Sequence, residues 1–204
     1  MNEHSILERR FPGRRATLKR EILQQALCCF NEVGVEATTI DAIKARCETS
    51  VGAIYHHFGK KEGILSALFF AAQDDQREHL KSYLDKACSL QEAVYSIVTS
   101  YVDWVVAYPE WARFLYQARS SVATGPYQQD LKDRNAENYQ ELKEKMLSLG
   151  GEGLKVTHPF EILPSLIIGP AENYCRAWLA RRVHTSPDQY REMFAQSAWR
   201  SVQP

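Results

Sequence analysis

The sequence predicts an all-α protein of about nine helices, in which a small N-terminal helix-turn-helix unit precedes a larger helical domain. Three observations carry this prediction. Apolar residues recur at three- and four-residue steps in one segment after another, glycine- and proline-centred breaks separate the segments, and no stretch alternates with a period of two. The chain has 204 residues, enough for one large or two small domains. A hydrophobic content of 45% supplies a core, while a mean hydropathy of -0.40 and the lack of an apolar run near 18 residues argue against a membrane span. Residues 1–15 carry charges with no continuous apolar stretch behind them, so no secretory signal is expected and the cytoplasm is the expected compartment.

The elements follow in order. Phe11-Pro12-Gly13 breaks any early helix, and residues 1–13 are expected to form a basic flexible arm. Ile22, Leu23, Ala26, Leu27, Phe30 and Val33 then mark a first amphipathic helix, ended by Gly34. Thr38 and Thr39 suit the N-cap of a short second helix with Ile40 and Ile43 inward, because a hydroxyl accepts from orphan backbone N–H groups. Cys47-Glu48-Thr49 is a turn. Ser50 caps a third short helix that stops near His57-Phe58-Gly59, and a long fourth helix begins about Lys60. Five further helical segments are expected at 90–108, 109–119, 128–149, 160–183 and 187–201. Gly125-Pro126 and 150–153 are read as loops, and Gly169-Pro170 as a kink.

Charge and cysteine chemistry narrow the function. Lys and Arg balance Asp and Glu at 25 each, yet Arg9, Arg10, Arg14, Arg15, Lys19 and Arg20 put six positive charges into twelve residues with no acid among them. Such a basic terminus is a candidate nucleic-acid contact, since each cation beside a phosphate releases counterions. The alternative is a solvated tail. Five cysteines, an odd number in a chain too large to need stapling, read as reduced thiols. Cys28-Cys29 has the wrong spacing for a zinc knuckle, and no metal or other cofactor is expected. Enzyme signatures are missing from the sequence: there is no Gly-x-Ser-x-Gly, no phosphate-binding glycine loop and no His-Glu-x-x-His, so no catalytic residues are assigned.

Three short helices, a basic arm and a tight turn between the second and third describe a helix-turn-helix, whose third helix enters the DNA major groove. The specific evidence is the run Thr38-Thr39-Ile40-Asp41-Ala42-Ile43 followed by residues 50–65, Ser-Val-Gly-Ala-Ile-Tyr-His-His-Phe-Gly-Lys-Lys-Glu-Gly-Ile-Leu. This closely resembles the N-terminal signature of the TetR family of bacterial transcriptional regulators, over roughly residues 19–65.

The resemblance and the chemistry together assign candidate roles. Gly52 lets the backbone approach DNA, and Val51 and Ala53 offer small apolar contacts suited to a thymine methyl. Tyr55, His56, His57 and Lys61 resemble the family's phosphate contacts, each presenting a donor to phosphate oxygens, although His57 also reads as a packing residue. Thr39 offers a hydroxyl at a helix start where a phosphate fits, and Ser50 and Lys44 complete the DNA set. Arg14 and Arg15 are expected in the minor groove, and Lys19 and Arg20 near phosphates. The chain departs from the family at Cys47-Glu48-Thr49, where Ala-Gly-Val is usual. A non-glycine there, if the turn needs positive φ, would cost about 1 kcal/mol.

What the resemblance implies for the remainder is a 14–62 DNA-binding domain and a 63–204 domain that binds a small-molecule effector and dimerises through its last two long helices. Dimer candidates are Ile167, Tyr174, Trp178, Phe194 and Trp199; effector candidates are Tyr101, Trp104, Trp111, Phe114 and Glu172, although an aromatic stripe is also simply core. The implied partners are operator DNA, a second copy of the chain and a small-molecule effector, with no membrane. The implied function is a repressor released from DNA by its ligand. The alternative is a helical protein-interaction adaptor without sequence-specific DNA binding.

Overall fold

The computed structural model describes residues 4–150 and 159–203, with the backbone alone at His4, Ser5 and Phe160. Ten α-helices and no strands occur among them. The chain divides into two compact units, Met1–Asp75 with Glu110–Arg134, and Gln76–Pro109 with Asn135–Pro204.

The first unit departs from expectation at its start. Residues expected to form a flexible arm fold as helix α1, His4–Arg10, with Ile6 and Leu7 buried in the core. Two apolar side chains are too few to show a helical period in the sequence, and the ion pair that seats the helix is remote: the Arg9 guanidinium reaches Oδ1 of buried Asp75 at 3.0 and 2.6 Å. Two further basic residues organise the connection instead of standing free. Arg20 donates to the carbonyls of Phe11 and Gly13 at 2.7 and 2.9 Å, and the Lys19 ammonium sits 4.4 Å from the Phe11 ring centroid. Gly13 takes φ +84°, the left-handed region that glycine enters at little cost.

Helix α2, Thr17–Val33, buries Ile22, Leu23, Ala26, Leu27, Cys29 and Phe30, which is the predicted apolar face. Helix α3, Ile40–Lys44, and helix α4, Val51–Phe58, begin at Thr39 and Ser50 as predicted, and both hydroxyls accept from backbone N–H groups at 3.1 Å. Helix α5, Lys61–Leu84, contributes its first half to this unit. So does most of α7, Pro109–Thr124, where Phe114 stacks on Phe30 with ring centroids 5.6 Å apart and the carbonyl of Glu110 accepts from Asn31 Nδ2 at 3.1 Å.

The second unit is built on α6, Leu90–Ala107, whose Ala93, Val94, Val98, Val102 and Val105 are buried. Ser89 caps it, accepting from Glu92 N–H, while the Glu92 carboxylate accepts from Cys88 N–H, a reciprocal arrangement that satisfies two orphan donors. Helix α8, Gln128–Ser148, is shared between the units in sequence. Helices α9, Leu163–Leu179, and α10, Arg191–Val202, pack on α6 and on each other. Pro164 lies in the first turn of α9, where its missing N–H costs nothing, and Pro170 lies inside the helix. Asp103 on α6 ties three helices together: it accepts from Tyr83 OH at 2.8 Å and from Arg191 Nη1 at 2.8 and 3.1 Å. Residues 151–153 of the predicted glycine-rich loop lie outside the described residues.

Candidate nucleic-acid interface

The site is assembled on α4. Its inward side chains, Ile54 and Phe58, are buried with Ile43 of α3, and this leaves a continuous outward surface. Gly52, Tyr55, His56 and His57 are all exposed, and Tyr55 retains half of its accessible area. Val51 and Ala53 are half-buried at the helix edge. A Cβ added at Gly52 would meet only the Ser50 hydroxyl, at 3.8 Å, so the space over that residue is open for an incoming backbone or base. His57, for which packing was the competing reading, faces outward, with its ring 6.1 Å from that of Phe58.

The turn ahead of α4 adopts no left-handed residue; among the described residues only Arg181 combines positive φ with a side chain. The cost expected for a non-glycine turn therefore does not arise. Two carboxylates on α2 hold this turn in place. Glu32 meets the Arg46 guanidinium through two hydrogen bonds at 2.9 and 2.5 Å, and Glu21 accepts from the backbone N–H of Glu48 at 3.1 Å. The Arg46 hydrogen bond holds the Glu32 carboxyl below its ordinary range. Cys47, half-buried between these anchors, is pushed up to about 11 by desolvation and stays a thiol at neutral pH.

The junction between α4 and α5 is set by Gly63. A Cβ there would fall 2.0 Å from the Phe58 carbonyl oxygen, so only glycine lets α5 start this close to the end of α4. Lys61, expected to donate to phosphate, instead donates from Nζ to the carbonyls of Val35 and Glu36 at 3.0 and 3.2 Å. Of the remaining candidates, Thr39, Lys44, Ser50, Arg14 and Arg15 are all exposed, the last two on a single 3-10 turn, Arg14–Ala16. Sequence reasoning missed Glu21, Glu32 and Gly63. Gly63 sat inside the quoted signature, but the carboxylates gave no local signal.

The other candidate sets fare differently. Trp104, Trp111 and Phe114 are fully buried, Trp104 in the second unit and the other two in the first. Tyr101 is half-buried, and Glu172 is tied to Arg176 at 2.6 Å. A groove of about 540 Å³ in the second unit, bordered by Tyr83, Lys86, Tyr95 and Thr99, contains none of the five effector candidates. Among the dimer candidates, Ile167 is buried within its own unit; Tyr174 and Phe194 pack together at 5.5 Å, and Trp178 and Trp199 are half-buried. Met193 on α10 is 65% exposed. No group of three metal-ligating side chains and no helix long and apolar enough to cross a membrane occurs among the described residues.

Comparison with known proteins places this geometry. Residues 22–68 match the family model described as bacterial regulatory proteins, tetR family. The chain is similar to the HTH-type transcriptional repressor AcnR of Corynebacterium glutamicum, with 44% identity over 50 residues, 24% of this chain and 27% of that protein. It thus spans about a quarter of the length of the curated relatives it matches first. The structure superimposes on a TetR family transcription regulator from Marinobacter aquaeolei with a TM-score of 0.73 at 18% identity, over 93% of this chain and 97% of the other. A transcriptional regulator FadR from Bacillus subtilis, in complex with stearoyl-CoA, matches with a TM-score of 0.67 at 13% identity, over 91% and 98%.

Proposed function

We propose, from the premise that residues 22–68 are a TetR-family N-terminal domain carried on a TetR-family fold, that this chain is a dimeric, ligand-responsive repressor of transcription. The observation that carries the reading is α4, a capped helix whose exposed face combines a bare backbone at Gly52 with donors at Tyr55, His56 and His57. The glycine and its neighbours Val51 and Ala53 meet base edges in the major groove, and the ring donors hold phosphates and fix the register. Arg14 and Arg15 add charge from outside the helix-turn-helix, and Thr39 and Lys44 flank it.

Dimerisation through α9 and α10 presents two recognition helices about 34–36 Å apart, one turn of DNA. Exposed Met193 and half-buried Trp178 and Trp199 supply apolar surface for such a pairing. An effector that binds better to a form with a different helix spacing weakens DNA binding by its differential affinity, and a tenfold loss requires about 1.4 kcal/mol. The stearoyl-CoA bound to the FadR neighbour makes acyl thioesters a rational first group in an effector screen.

The test is selection of bound duplexes from a random library by the full chain, followed by anisotropy titration of the winner at several salt concentrations. A palindrome bound with a steep salt dependence supports a dimeric reader. No enriched sequence and no salt-dependent binding would leave the adaptor reading standing.

A further inference from the structure

Two adjacent lysines follow the recognition helix, and the structure treats them oppositely. Lys61 is half-buried and directs its ammonium back onto the loop after α2, where the Val35 and Glu36 carbonyls take two of its three donors. That loop is itself fastened on two other sides. Thr38 Oγ1 donates to the Gly34 carbonyl at 2.7 Å, and the Glu36 carboxylate accepts from Ser121 Oγ of α7 at 3.3 Å. Lys61 therefore pins the first residue of α5 to a braced point. Because Gly63 places the same turn of α5 against the Phe58 carbonyl, whatever fixes the start of α5 also fixes the end of α4.

Lys60 is different. It is exposed, it precedes the helix, and its ammonium has no hydrogen bond or ion pair among the described residues. It follows Gly59, which closes α4 with φ +71°, and so continues the exposed run of Tyr55, His56 and His57. Residues adjacent in sequence point about 100° apart at a helix start, so an inward Lys61 leaves Lys60 directed elsewhere. No acid occurs between Glu48 and Glu62, and the Lys60 charge is not neutralised within that stretch.

We propose that the pair divides the work: Lys60 is the DNA-backbone contact, and Lys61 is a positioning residue that holds α4 at the angle where its side chains reach base edges. This rests on the reading of α4 as a DNA-recognition helix. A phosphate drawn to Lys61 would have to compete with two carbonyls already bound, whereas one drawn to Lys60 displaces only water.

The test uses the full-length protein, the duplex recovered by selection and a scrambled duplex, with Lys60→Gln, Lys61→Met and Lys61→Arg as variants. Dissociation constants are measured between 50 and 300 mM salt beside thermal midpoints, the range being about that over which counterion release is usually resolved. Lys60→Gln is expected to leave the midpoint unchanged and to reduce the slope of log K against log salt by about 0.9 per lost contact. Lys61→Met is expected to keep the slope on the selected duplex while lowering its advantage over the scrambled one about tenfold, the cost of misplaced base contacts. Loss of folded protein alone would leave that ratio unmoved. Lys61→Arg, which keeps donors within reach of both carbonyls, is expected to recover most of the discrimination, and serves if the methionine variant does not fold. A reduced slope in Lys61→Arg or Lys61→Met with full discrimination, or an unchanged slope in Lys60→Gln, overturns the proposal while leaving the DNA reading intact. Salt-independent binding by the unmodified protein overturns both.

Discussion

Gly63 and the carbonyl oxygen of Phe58 stand so close that a Cβ at position 63 would lie 2.0 Å from the oxygen. That contact is backbone against backbone, and neither partner is a flexible side-chain end that can move aside. Gly63→Ala is therefore expected to cost about 1–3 kcal/mol, the usual penalty for overpacking. In a chain of this size this lowers the thermal midpoint by several degrees, about 2–4 °C per kcal/mol. The displaced recognition helix should also bind DNA more weakly. Circular dichroism melting with anisotropy on the same sample checks both, and an unshifted midpoint would refute the contact.

Gly52 supplies the opposite case. Its missing Cβ faces open space, so Gly52→Val is expected to leave the melting midpoint within a degree or two of the parent, given ordinary surface tolerance of about 0.5 kcal/mol. The added side chain occupies the approach to the groove, and affinity for the selected duplex should fall tenfold or more, about the worth of one good base contact. Retained affinity would show that α4 does not enter the groove by this edge.

The Glu32–Arg46 pair gives the helix-turn-helix a dependence on acid. Glu32 titrates lower when folded than when unfolded, so its contribution is present above the unfolded value, about 4.3, and is lost as pH falls through the lower folded value. Urea midpoints of the parent and of Glu32→Gln should differ at pH 7 and draw together as pH falls below the ordinary carboxylate range. A difference that stays constant from pH 7 down through the acid range, instead of shrinking as the carboxylate takes its proton, would place its cause elsewhere than in the charge.

Thiol chemistry separates the cysteines. Cys88 is exposed, whereas burial pushes Cys175 up to about 12 and Cys47 up to about 11, and raises Cys29. A maleimide titration at pH 7 should label Cys88 first and leave Cys175 unmodified until denaturant is added, since the thiolate is the reacting form. Mass mapping of an early time point reads the order.

Met193 tests the pairing of chains. A carboxylate on that exposed position of α10 costs its own fold little, but cannot be buried unpaired at an interface. Met193→Glu is expected to shift the mass measured by light scattering from dimer to monomer without changing helicity. A dimer of unchanged stability would move the interface away from this face.

Legibility in the sequence followed the range of the interactions. Thr39 and Ser50 could be named as caps because their acceptor role involves donors three residues away. The face of α2 was readable from its period. By contrast, α1 depends on Arg9 meeting Asp75, 66 residues on, and Lys61 on carbonyls 25 and 26 residues upstream. Neither separation leaves a local pattern. The aromatics of 104–114 carried a further ambiguity, since a ring that fills core and a ring that lines a ligand look alike in sequence, and Trp104, Trp111 and Phe114 are buried as either role requires.

The first compact unit takes in residues 110–134 along with the N-terminal segment, and Phe30 stacks on Phe114 inside it. For protein engineers who exchange N-terminal units between proteins of this fold, this sets where the scissors can go. A crossover at residue 62 would hand the graft a Phe30 without its stacking partner and an Asn31 without the Glu110 carbonyl. A working hybrid of this unit needs a donor segment from α7 as well, so two crossovers rather than one.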